Sequence, residues 1–114
     1  MKYSLLSLLF ICIVFTSVSG QWIQLNDIPF ENHHSNGFGI DGKGYIVQGE
    51  PTTVDGEMVN VLWEYDVVSD SWMEIGVFPG DPRVLAIGDD MDGKYYYGFG
   101  SNSSDLWVFD PETK

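Results

Sequence analysis

Leu62-Trp63-Glu64-Tyr65-Asp66 returns further along the chain as Leu106-Trp107-Val108-Phe109-Asp110, an offset of 44 residues. Working outward, two more blocks repeat. Trp22-Ile23-Gln24-Leu25 followed by Pro29 matches Trp72-Met73-Glu74-Ile75 followed by Pro79 at an offset of 50. Asp41-Gly42-Lys43, Tyr45 and Gly49 fall on Asp92-Gly93-Lys94, Tyr96 and Gly100 at an offset of 51. The drop from 51 to 44 puts a seven-residue insertion between Gly49 and Leu62. A repeat of about fifty residues means one supersecondary unit used more than once. Each block is short, aromatic or β-branched, and bounded by Gly, Pro, Asp, Asn or Ser, which predicts strands and no helix. Lys94-Tyr95-Tyr96-Tyr97-Gly98-Phe99-Gly100 is too continuously aromatic to face water on both sides, so these strands are expected between neighbouring sheets. Asp41-Gly42 and Asp92-Gly93 are tight-turn dipeptides.

Composition narrows the partners. The 114 residues hold 17 Asp plus Glu against 5 Lys plus Arg, for a formal charge of −12. Nucleic acid is excluded as a partner, because neutralising phosphates needs clustered basic side chains. Lys2, the apolar run Leu5 to Phe15 and the small residues Thr16 to Gly20 form a secretory signal over residues 1–20, removed from the mature protein. The run is too short for a membrane span, which takes roughly 20 apolar residues. Cys12 lies inside it, and Ile11 before it is too large for a lipid-attachment site. Cleavage leaves 94 residues with a charge of −13 and no cysteine. Secretion to the periplasm, cell surface or medium then proceeds without disulfides, and thiolate chemistry is excluded.

An aromatic strand ending in Gly, then Leu-Trp-x-aromatic-Asp, a turn, and Trp72 before a Pro-containing loop resemble the kelch repeat, whose four antiparallel strands form one blade of a β-propeller. The likeness covers residues 21–114 and is nearest to secreted bacterial kelch proteins and galactose-oxidase-like propellers. It implies an all-β fold with an orphan d strand at 21–26, blade one over 33–76 (strands 35–40, 43–49, 61–66 and 71–76) and a partial blade two over 83–110 (strands 84–89, 94–100 and 105–110). Trp22, Tyr45, Gly49, Trp63, Asp66, Trp72, Tyr96, Gly100, Trp107 and Asp110 are its structural repeat positions. Gln48 and Phe99 stand where the family carries the first of two glycines, and His33 stands opposite Arg83. Propellers have 4 to 8 blades, so the expectation is an incomplete ring, the N-terminal piece of a longer chain whose remaining blades are its partners. Self-assembly of a short protein and a decayed gene are the other readings.

In such a blade the b–c and d–a connections share one face. That face receives the loop 50–60 with Asp55 and Glu57, the segment with His33 and His34, and Arg83, which are the candidate ligand-binding residues. Adjacent histidines on an extended segment point apart, so no shared metal is expected. Arg83 is expected to engage carboxylates or hydroxyls at the channel mouth, or to pair with Asp81 or Glu31. Asp89-Asp90-Met91-Asp92-Gly93 lacks the downstream Glu of a helix-loop-helix calcium site and reads as a solvated turn. Asn102-Ser103-Ser104 is a glycosylation sequon. With no nucleophile, base and orienter set, the leading expectation is a non-catalytic propeller segment that binds protein or glycan, with no cofactor. The alternative is part of a carbohydrate enzyme, sialic-acid epimerase-like or galactose-oxidase-like; an adhesion element is a third. The tryptophans repeat in register, as packing residues between blades do. Trp72→Ala should therefore cost about 3 to 5 kcal/mol in denaturant unfolding; unchanged stability would remove the packing role.

Overall fold

A computed structural model describes residues 19–51 and 60–113, and the secretory-signal run before residue 19, Asp55 and Glu57 lie outside them. The described residues are all-β, with no helix and hence none long and apolar enough to cross a membrane. Nine strands run β1 (Asn32–His33), β2 (Asn36–Ile40), β3 (Lys43–Val47), β4 (Glu50–Pro51), β5 (Val61–Asp66), β6 (Ser71–Val77), β7 (Ile87–Met91), β8 (Lys94–Gly98) and β9 (Leu106–Phe109). They form an antiparallel four-stranded sheet in the order β2-β3-β5-β6, a three-stranded sheet β7-β8-β9, and the small pair β1-β4. The two larger sheets are consecutive blades that do not close a ring.

Local chemistry explains the hairpins. Asp41 and Gly42 have φ of 50° and 76°, and Asp92 and Gly93 have 52° and 74°. Two successive left-handed residues turn a strand back with the twist a hairpin requires. After β5, Asp66 accepts the backbone N–H groups of Val68 and Ser69 at 2.9 Å each, and Asp110 accepts that of Glu112 at 3.0 Å. The repeated Asp thus closes the turn after each third strand; the Ser69 and Val68 N–H groups hold the Asp66 carboxyl below the usual range, and the Lys94 ammonium, followed by the Glu112 N–H, does so for Asp110.

Strand alternation decides which aromatic faces which sheet. On β2 and β3, Phe38 and Tyr45 are register partners on one face. On β8 and β9, Tyr95 pairs with Phe109 and Tyr97 with Trp107. Phe38 stacks on Tyr95 with centroids 3.6 Å apart and planes 7° from parallel, and Phe109 meets Phe38 and Tyr45 edge-on. The core between the sheets is Ile40, Tyr45, Val47, Phe78, Ala86, Tyr95 and Tyr97. The repeat equates Tyr45 with Tyr96, yet Tyr45 is buried and Tyr96 only half-buried. Equivalent positions point the same way around the ring, so Tyr45 points at the second sheet and Tyr96 away from the first.

Trp63 and Trp107 are each capped by an aromatic ring, Phe30 at 5.6 Å and Phe78 at 5.4 Å. Trp72 packs on Tyr65 and donates its indole N–H to the Asn26 carbonyl at 3.0 Å. Residues 21–26 make no strand pairing, and Trp22 is 99% exposed; a fourth strand needs a third strand beside it. The first strand of the second sheet starts at Ile87 rather than 84, because Leu85 has φ 59°, a bend that a strand does not contain. Phe38→Ala should cost about 3 kcal/mol in urea unfolding, while Val68→Ala, at a 98% exposed site, should change stability by less than about 0.5 kcal/mol. Equal effects would deny the stack its role.

Candidate functional site

The b–c and d–a connections do share a face, and they pair. Asn32 lies opposite Pro51 and His33 opposite Glu50 in the antiparallel β1-β4 ladder. Beneath it, Ser35 donates to Asn32 Oδ1 at 2.5 Å. A Cβ on Gly49 would sit 2.6 Å from Ser35 Oγ, and φ of 146° there also demands glycine.

A buried polar network continues from this ladder. Gln48, 3% exposed, accepts a hydrogen bond from the Tyr97 hydroxyl through Oε1. Its Nε2 donates to Asn60 Oδ1 at 2.6 Å and to the Asp81 carbonyl at 3.3 Å. Asn60 Nδ2 in turn donates to the Gly80 carbonyl at 3.0 Å. Burial pushes the Tyr97 hydroxyl up to about 12, so at neutral pH it stays a donor and sets the orientation of the Gln48 amide. Gln48 and Phe99, at the positions expected to be glycine, take φ of 56° and 60°. The backbone keeps the left-handed bend although the side chain disfavours it, by about 1 to 2 kcal/mol for an ordinary residue; at Gln48 the side-chain bonds offset that strain.

Arg83 is 1% exposed and faces protein, not the channel mouth. Its guanidinium forms a two-point ion pair with Asp105, with Nη2 to Oδ2 at 2.9 Å, and donates to the carbonyls of Asp81 at 3.1 Å and Phe99 at 3.2 Å. It also lies 5.2 Å from the centre of the Phe78 ring. Its side-chain partner is Asp105, neither Asp81 nor Glu31, and a ligand finds no free edge of the guanidinium. Arg83 hydrogen bonding, reinforced by the Trp107 indole N–H at 2.6 Å, holds the Asp105 carboxyl well below the usual carboxylate range. His33 is exposed on the first sheet's side, so the structure does not join these two repeat-equivalent residues in one cluster.

His33 and His34 do converge. Their Nδ1 atoms are 2.6 Å apart and their rings meet edge to face at 4.6 Å. The expectation that neighbours point apart assumed extended backbone; His34 instead has φ 59°, which swings its ring back over His33. Among the described residues no group of three or more His, Cys, Asp or Glu side chains forms a metal cluster. A separate apolar cleft of about 320 Å³ runs between the sheets, lined by Phe38, Leu62, Phe78, Tyr97, Trp107 and Phe109 among others. It is packing space between blades, remote in character from the polar loop face. Gln48, Asn60, Tyr97 and Asp105 were not among the expected site residues. The repeat alignment carried one signal for the last: Arg83 and Asp105 occupy the places of His33 and Val61, so both members of the ion pair are absent together from the first copy.

No protein-family profile matches the chain. A curated relative does. The chain is 30% identical, over 98% of its length, to a Yersinia enterocolitica protein named N-acetylneuraminate epimerase. The chain spans about 30% of that relative's length.

The ion pair makes stability acid-sensitive. Unfolded, Asp105 takes up a proton below about pH 4; folded, it resists to lower pH. Its contribution is therefore complete above about pH 4 and is lost as pH falls further. Asp105→Asn should lower stability at neutral pH and flatten the decline in acid, followed by tryptophan fluorescence. A parallel downward shift at every pH would show that the pair is not the acid-sensitive element.

Proposed function

We propose that the chain contributes kelch-type blades to an exported propeller that epimerises N-acetylneuraminate or a closely similar acidic sugar, with residues 1–20 as its secretory signal. The observation that carries this reading is the similarity to an N-acetylneuraminate epimerase along 98% of the chain. The geometry supports a part in ligand contact on the face built by β1 and β4. That face is braced from below by the Gln48 network, and rigid support under variable loops suits a binding surface. Lys43, Arg83 and Lys94 are ion-paired with Glu64, Asp105 and Asp110. The described part of the face carries the exposed Glu31 and Asp81 carboxylates beside the His33 and His34 imidazoles, donors and acceptors of the kind that meet sugar hydroxyl and acetamido groups. In the whole protein other blades complete the site.

The test is proton NMR of N-acetylneuraminate with the protein as expressed from its gene. Faster epimerisation than in buffer, with saturation transfer from protein to sugar, is the expected result. Saturation transfer without acceleration would replace this reading by the non-catalytic glycan-binding one. Absence of both would overturn the assignment to this sugar.

A further inference from the structure

We propose that His33 and His34 form a surface site for a divalent first-row transition ion of the zinc, nickel and copper class. Two Nδ1 atoms 2.6 Å apart share one proton, since one ring must donate and the other accept. The same two lone pairs can be offered together to a cation. Metal–imidazole bonds of about 2.0 to 2.1 Å in tetrahedral geometry require the nitrogens to stand about 3.3 Å apart. The rings therefore need to separate by less than about 1 Å, which two exposed side chains can do. On binding, the shared proton leaves to solvent and both nitrogens become ligands.

Three features build the site rather than leave it to chance. The positive φ of His34 is a conformation that non-glycine residues avoid, and the structure holds it where it brings the rings together. The His33 backbone is tied into the β1-β4 ladder opposite Glu50. Asn32 next to it is fixed by Ser35 and by the close approach of Gly49. Imidazole selects zinc, nickel and copper over calcium and magnesium, which prefer oxygen. A formal charge of −12 draws cations to the chain. From the described residues the ion takes two protein ligands, with water in the remaining positions, so it binds in exchange with solvent. The inference is independent of the sugar reading.

The experiment is calorimetric titration of the full chain with nickel and zinc at neutral pH, with calcium as the hard-ion control. One ion per chain is expected, weakened at least about tenfold in both His33→Gln and His34→Gln. In case a variant misfolds, nickel added to the unmodified chain should broaden the imidazole ring proton signals first. Absence of binding, equal binding by the folded variants, equal uptake of calcium, or broadening centred on Asp89 to Asp92 would each overturn the proposal.

Discussion

Phe38 lying flat on Tyr95 is the contact on which the arrangement of the two sheets depends. A four-stranded antiparallel sheet has one aromatic-rich face too many to stand alone in water. Here Phe38, Tyr45 and Val47 find Tyr95, Tyr97, Trp107 and Phe109 across the gap. Removing that apolar area from water is the main favourable contribution. The stacked and edge-on ring geometry then selects one relative placement of the sheets from many that would bury similar area. Asn36 adds direction by donating from β2 to the Ala86 carbonyl at 3.0 Å, just ahead of β7.

The described part of the loop face is tied to this packing. Tyr97 stands in the aromatic layer with its ring against Phe78 and hands its hydroxyl to Gln48 on the neighbouring sheet. Gln48 and Asn60 carry the bonding on to the connection between the sheets. A neutral network joins the two sheets, and the Arg83–Asp105 ion pair braces the connections around the second sheet. The two copies of the repeat have thus reached similar support for their loops by different chemistry, hydrogen bonds between amides in one and a buried guanidinium in the other.

Much of the fold was legible in the residues. Asp41-Gly42 and Asp92-Gly93 specify hairpins because both central positions need left-handed backbone, and the repeated Asp66 and Asp110 cap the following turns. The site was less legible. Arg83 was expected to meet a ligand or to pair with Asp81 or Glu31, because its actual partner Asp105 lies 22 residues away and has no counterpart in the first copy. His33 and His34 looked divergent because the rule for neighbours holds for extended backbone, and nothing local announces that His34 is bent out of it.

The sequence by itself determined strand order, hairpin positions and the repeat, since these follow from alternation, turn residues and spacing along the chain. Only the tertiary structure decided which of three consecutive tyrosines is turned away from the core. It also decided that Arg83 is consumed internally and that two adjacent imidazoles meet. Those outcomes depend on which sheet stands on which side, and on residues brought together from distant parts of the chain.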